Sequence, residues 1–324
     1  MNRLRKILSK LRKPKSGPGE IEAYKSAYNQ LSLANPFRQL TGKENEAVII
    51  MDNRELFKSD NPPNNSVFLT CPHASKDIKY MPLNNLDDMI LYSQNAYDIG
   101  AFELTNDLSE SLQCVALLSN FCKLLIDPNK SIASKHLVPD YVLHHETIDP
   151  EFQSSHQGAF ARPDGKMGIE MNRRAIVGDR LDYYYIEYHK LVGEALAFLE
   201  PQLHIDIHTY ECLSNYFPDD ASLMDEESIG IQVYSKTENN FIAEALQDED
   251  SGLKVFTDPF IPSLSHHQCG TFTLDSVADY DLEGTSSIQS LQLSIPNHWA
   301  MDSEFRLYLI EILTSTIQNS IKTP

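Results

Sequence analysis

Within residues 203 to 211, LHIDIHTYE, apolar and polar side chains alternate strictly from Leu203 to His208. Leu203, Ile205 and Ile207 share one parity, and His204, Asp206 and His208 share the other. That is the period-two signature of a strand whose two faces meet different surroundings. The apolar parity predicts a core face. The polar parity places two imidazoles and a carboxylate on the opposite face, near the strand's carboxyl end.

Other elements follow from the same pattern. SVFLTCPHAS predicts a strand at 66 to 71, closed by a turn in which Pro72 precedes His73. Ile99, Phe102, Leu108 and Leu112 recur at helical spacing and predict a helix opening near Asp98. CVALLS reads as a short strand and CKLLIDPNK as a second extended piece ended by Pro128. Leu181, Tyr184, Tyr185, Tyr188, Leu191, Val192, Ala195 and Leu199 trace a long amphipathic helix that runs straight into the 203–211 strand. NNFIAEAL predicts a helix, SLQLSI a strand, and FRLYLIEILTSTIQ a C-terminal helix. Alternating helices and strands predict a three-layer α/β/α domain with a central mixed sheet over residues 19–324. Residues 1–18 stand apart from it as a basic tail and linker, and the chain contains no internal repeat.

Composition narrows the function. A formal net charge of −19 leaves no basic excess for phosphates, which argues against a nucleic-acid partner. No apolar run approaches the length of a membrane span. The cysteines, Cys71, Cys114, Cys122, Cys212 and Cys269, are scattered and never spaced as a pair for thiolate zinc, which fits a reducing, cytoplasmic setting. There is no Gly-rich phosphate loop.

The chemistry therefore rests on the histidines. A buried Asp–His pair without metal would satisfy the LHIDIHT pattern by itself. His73 adds a second imidazole at a strand end, and Asp98 at a helix start adds a carboxylate. Two histidines and one acid are a ligand set that zinc accepts, with a fourth position left open. Such an ion polarises a carbonyl and activates water without a protein nucleophile. His144, His145 and Glu146, and His266 and His267 beside Cys269, are weaker candidates, because adjacent residues on an extended chain point apart.

An ordered series of segments resembles the N-formylglutamate amidohydrolase family, zinc enzymes with a fold like that of the zinc carboxypeptidases. The segments are LTCPHAS, YDIGAFEL, CKLLIDPNK, RLDYYYIEYHKLV, LHIDIHTYE and LQLSIPNHWAMD, spread over roughly residues 66 to 302. The resemblance implies a zinc-carboxypeptidase-like fold, with His73, Asp98 and His208 as Zn²⁺ ligands. It places Asn129 and Arg180 near the substrate and packs His189 beside the site. The implied substrate is an N-acyl amino acid or a similar amide bearing a carboxylate. Lys123 and Lys130 stand where the family has carboxylate-clasping arginines; they keep the charge and lose the bidentate fork. Ser294 stands where the family carries its general-base glutamate, and a serine cannot take a proton from water in that way. Glu211 is the nearest replacement in sequence and Glu170 the second. If no carboxylate substitutes, the chain is a catalytically impaired relative that binds a ligand or a partner.

The first thirteen residues place Leu4, Ile7, Leu8 and Leu11 on one helical face, flanked by Arg3, Arg5, Lys6, Lys10, Arg12 and Lys13. A basic amphipathic segment of this kind can lie on an anionic membrane surface, dock on an acidic partner, or stay solvated. Each basic residue near an anionic surface contributes about 1 kcal/mol, and ordering each residue costs about as much. Weak binding that fades with salt is expected, making the protein at most peripheral at a membrane. Co-sedimentation with anionic liposomes at low and high salt checks this. Full-length protein should pellet more at low salt than a variant lacking residues 1 to 17, and equal pelleting would return the segment to a solvated tail.

Overall fold

The computed structural model describes residues 47–54, 65–78, 88–130, 137–138, 177–178, 180–211, 229–235, 241–248, 253–257 and 288–322. Residues 1–18, the 144–146 and 266–267 histidine pairs, Glu170, Cys212 and Cys269 lie outside them. Seven strands form one mixed sheet: β1 (Val48–Asp52), β2 (Val67–Cys71), β3 (Val115–Ser119), β4 (Leu203–Tyr210), β5 (Ile231–Ser235), β6 (Val255–Phe256) and β7 (Gln289–Pro296). Their spatial order is β1-β3-β2-β4-β7-β5-β6. The middle four, β3, β2, β4 and β7, are parallel, with β1 and β5 antiparallel to their inner neighbours.

The helices are α1 (Asp88–Leu91), α2 (Ala101–Leu112), α3 (Ile186–Leu199), α4 (Phe241–Asp248), α5 (Asn297–Met301) and α6 (Ser303–Lys322). Strand alternation decides which of them each residue meets. Val67 and Leu69 on β2 and Leu203, Ile205 and Ile207 on β4 pack with Leu104 and Leu108 of α2, Ile242 of α4 and Leu313 of α6. Phe68 on β2 and Val115 and Leu117 on β3 point the other way, onto Tyr188, Leu191, Val192 and Leu196 of α3. Helices thus cover both faces, the three-layer arrangement expected. Each fully buried aliphatic side chain contributes roughly 1.5–3 kcal/mol. On β4 the α3 side carries His204, Asp206 and His208 instead of aliphatics, although all eight of its residues are buried.

Chain order reverses between β2 and β4. From β2 the chain crosses through α2 to β3 on one side, and β4 continues toward β7 on the other. Ligands of such sheets gather in the crevice beyond the carboxyl ends of the two strands that flank the reversal. His73 follows β2 and His208 lies near the carboxyl end of β4, so the topology alone brings them to one crevice.

Three local features differ from the sequence reading. CKLLIDPNK is a pair of turns, not an extended piece: Leu125 N–H donates to Cys122 O at 2.9 Å and Lys130 N–H to Asp127 O at 3.2 Å. Its apolar residues Leu124, Leu125 and Ile126 are buried against α3's cluster as loop side chains. The long helix begins with a π-helical turn, Leu181–Tyr185, before α3. The helix near Asp98 opens at Ala101, because Gly100 before it is left-handed (φ 85°). A Cβ there would lie 2.8 Å from the Ala300 Cβ of α5, so Gly100 also lets α5 close against the start of α2. In addition, the short strands β1, β5 and β6 have no counterpart in the sequence reading.

The described cysteines, Cys71, Cys114 and Cys122, are free and buried. Among the described residues no helix is long and apolar enough to cross a membrane.

Candidate metal centre

His73 and His208 meet edge to face, with ring centroids 5.0 Å apart and planes at 75°. Asp98 lies between them. Its Oδ2 is 2.8 Å from His208 Nδ1 and 3.3 Å from His73 Nδ1. Asp98 reaches that place because its backbone N–H donates to His73 O at 2.9 Å. Gln94 bridges the same segment to β4, donating to Thr209 O at 2.6 Å and accepting from the Ile99 N–H at 3.1 Å. One donor atom from each of His73, Asp98 and His208 lies within 4.8 Å of the others, and all three residues are buried.

The outward nitrogens settle which atoms face inward. His73 Nε2 is 2.7 Å from Asp127 Oδ1, and His208 Nε2 is 3.1 Å from Asp206 Oδ2. Each histidine therefore directs Nε2 at a carboxylate and Nδ1 at Asp98 Oδ2. A carboxylate that accepts a hydrogen bond from Nε2–H leaves Nδ1 as the nitrogen that can give up its proton to a metal, the arrangement found around ligating histidines. Tetrahedral ligands about 2.0–2.1 Å from one zinc lie roughly 3.3 Å from each other; the His73–Asp98 separation of 3.3 Å matches that spacing and the His208–Asp98 separation of 2.8 Å is shorter. The residues present fit a divalent ion such as Zn²⁺, and the group can hold one.

Electrostatics agree with a site built for positive charge. Burial alone would raise the Asp98 carboxyl. The Lys123 ammonium, 2.8 Å from its Oδ1, then His73 and the hydrogen bonds from His208 and His73, outweigh it and hold the group well below the usual carboxylate range. Asp127 is likewise lowered: burial opposes, while His73 and Lys130 favour the anion. Burial also works against a charged His208, but Asp206 and Asp98 raise it well above the ordinary histidine value.

Lys123, Lys130 and Asn129 contact groups of this centre, whereas Arg180 is tied to the neighbouring turn. Lys123 and Lys130 pair with the site's own carboxylates, Lys130 Nζ lying 3.2 Å from Asp127 Oδ2. The Asn129 amide nitrogen is 3.1 Å from His208 Nε2. Arg180 is 3% exposed, and its NH1 donates to Leu125 O at 3.1 Å. Tyr185 OH donates to Lys130 O and His189 Nε2 to Pro128 O, both at 2.8 Å. Arg180 just before the π turn, Tyr185 at its end and His189 on α3 thus fasten the 125–130 turns, which in turn carry Asp127 and Asn129. Ser294 stands opposite His208 in the β4–β7 register, and its Oγ accepts from Gln292 Nε2 at 3.1 Å. Glu211 follows the last residue of β4 and is half-buried. Among the described residues no hydrogen bond or ion pair ties it to His73, Asp98 or His208.

Asp127 and Gln94 were not singled out from sequence. The signal for Asp127 was present: an Asp two residues before an Asn in an Asp-Pro-Asn turn accepts the Asn N–H, here at 2.9 Å.

Comparison with known proteins supports the fold. The chain is similar to the crystal structure of gene product Atu2144 from Agrobacterium tumefaciens, with a TM-score of 0.56 and 19% identity over 85% of this chain and 96% of that one. It is also similar to an N-formylglutamate amidohydrolase from Ralstonia eutropha JMP134, with a TM-score of 0.48 and 14% identity over 86% and 97% of the two chains. At 19% identity the likeness to the Atu2144 structure is one of fold. No family model and no curated protein matches the chain.

Two buried histidines outside the His73–Asp98–His208 group set an acid limit on stability. Burial lowers both His189 and His204 to about 4, against the pull of Pro128 O on the first and Asp206 on the second. Unfolded, each takes a proton near 6.5; folded, only near 4. The unfolded state therefore binds more protons in that window, and stability falls as pH drops through it, by on the order of 2–3 kcal/mol per histidine. Urea midpoints measured at steps from pH 7 to pH 4 should decline, and His189→Gln should show a shallower decline. An unchanged slope in that variant would contradict the assignment.

Proposed function

We propose that this protein is a zinc-dependent amidohydrolase acting on an N-acyl amino acid or a similar amide that carries a carboxylate. The observation that carries the reading is the inward aim of His73 Nδ1, Asp98 Oδ2 and His208 Nδ1, with Asp127 and Asp206 behind the two rings. A Zn²⁺ ion held there supplies Lewis-acid polarisation of an amide carbonyl and of the attacking water.

The remaining tasks fall to the chain. Lys123, Lys130 and Asn129 hold the substrate's carboxylate end, as point charges and an amide rather than a guanidinium fork. Arg180, at the base of the 125–130 turns, contributes by fixing Leu125 O and so the loop that carries Asn129. Glu211 is assigned the general base, because Ser294 opposite His208 can only donate or accept a hydrogen bond. Glu211 needs only a turn of the chain after β4 to approach the crevice, since it follows His208 by three positions.

Ser294 also favours a second reading. A chain without a base at that position can keep the metal and the carboxylate-binding groups yet turn nothing over, serving as a ligand-binding protein.

Elemental analysis and an activity screen over N-acyl amino acids separate these. Purified protein should carry about one zinc per chain, and a His73→Ala, His208→Ala variant should lose it. Zinc-loaded wild type should release free amino acid, and Glu211→Gln should lower kcat by about 10²- to 10⁴-fold with zinc content unchanged. Wild type that is inert while Ser294→Glu gains activity would replace hydrolysis with the binding reading. Protein that stays metal-free after zinc addition and dialysis would remove both.

A further inference from the structure

The polar row behind His208 continues past Asp206 toward the other end of the sheet. Ser290 Oγ on β7 is 2.7 Å from His204 Nδ1, and His204 Nε2 is 2.8 Å from Thr70 Oγ1 on β2. Thr70 Oγ1 donates to Asp206 Oδ1 at 2.5 Å, and Asp206 Oδ2 meets His208 Nε2 at 3.1 Å. Thr70, His204 and Asp206 are fully buried, so no bulk water competes for these groups. The sheet register explains the alignment: Thr70 stands beside Asp206 across β2–β4, and His204 beside Ser290 across β4–β7.

The direction of every proton in this row follows from the inventory of donors. A carboxylate only accepts. The single Thr70 hydroxyl proton goes to Asp206, so the Thr70 oxygen accepts from His204, and His204 must carry its proton on Nε2. His204 Nδ1 is then bare and accepts from the Ser290 hydroxyl. His204 has just one proton to place, since burial keeps its ring neutral down to about pH 4. All the bonds therefore point toward Asp206 from both sides.

We propose that Thr70 and His204 are positioning residues for the metal site, which fix Asp206 Oδ1 so that Oδ2 holds His208 Nε2 and turns His208 Nδ1 toward Asp98. The inference rests on the metal reading above for its consequence. Neither residue touches the place where an ion would sit; they act through Asp206 and His208. Without the Thr70 hydroxyl, Asp206 keeps one buried side-chain donor among the described residues, His208, and can rotate, and the His208 ring loses its fixed orientation. Removing a partner directly behind a ligating histidine weakens metal binding 10- to 100-fold in general, and one bond further out about tenfold is expected.

Thr70→Val removes the hydroxyl and keeps the shape. Thr70→Ser restores the hydroxyl, and Thr105→Val, a buried hydroxyl on α2 that donates to Ala101 O, controls for simple destabilisation. Zn²⁺ affinity is read by competition with a chromogenic chelator at fixed pH. The His204 tautomer is read on metal-free wild type from the imidazole nitrogen shifts of ¹⁵N-histidine-labelled protein. Expected are about tenfold weaker Zn²⁺ binding in Thr70→Val, changes within about twofold in the other two variants, and a proton on His204 Nε2. Unchanged affinity in Thr70→Val, or a proton on His204 Nδ1, overturns the proposal. A wild type that takes up no Zn²⁺ overturns the metal reading instead, and the tautomer alone then decides whether the row exists as drawn. The tautomer also decides it if Thr70→Val does not fold.

Discussion

An ionised carboxylate in a place almost without water is the constraint on which this structure turns. Asp98 is 4% exposed, yet its surroundings hold it ionised. Leaving one such charge unpaired inside a protein costs several kcal/mol, so the fold must bring compensating groups from several distant segments. Lys123 arrives from the turns after β3, His73 from the end of β2 and His208 from the end of β4. The reversal of strand order between β2 and β4 is what makes those ends converge. Around Asp98 a second ring forms, with Asp127 and Asp206 behind the histidines and Lys130 behind Asp127.

That ring explains the division of β4 into two unlike faces. Leu203, Ile205 and Ile207 give the strand its share of the core under α2, α4 and α6, which anchors its backbone. The anchored backbone then presents His204, Asp206 and His208 on the α3 side at fixed spacing. Polar residues buried in such a row are tolerable only when each finds partners. Thr70, Ser290 and Asp98 provide them. α3 closes the face, and Arg180 just before the π turn, Tyr185 at its end and His189 on α3 grip the 125–130 turns through their carbonyls. Packing and site geometry are thus one problem solved by the same elements.

Much of this was readable in the sequence. The LHIDIHT alternation predicts both faces of β4, because strand periodicity is a local property. His73 and Asp98 were found for a related reason, each sitting at the edge of a periodic segment. What sequence did not show depends on tertiary placement. Asp127 lies in turns that CKLLIDPNK disguises as a strand, since its apolar residues are buried by α3 rather than by sheet pairing. Thr70 looks like an ordinary strand threonine until β4 is beside it. Strands β1 and β5 are five residues each, too short for their periodicity to stand out. Lys123 and Lys130 illustrate the same limit: their charge was legible, but not that each pairs with an acid of the site itself.

The central claim is that two imidazoles and one carboxylate of this chain share a metal ion. X-ray absorption at the zinc edge on protein loaded with one equivalent of Zn²⁺ tests it most directly. The account predicts a first shell of nitrogen and oxygen at about 2.0–2.2 Å, with outer-shell scattering from two imidazole rings and no sulfur. A sulfur shell near 2.3 Å, or a spectrum without imidazole scattering, would contradict it.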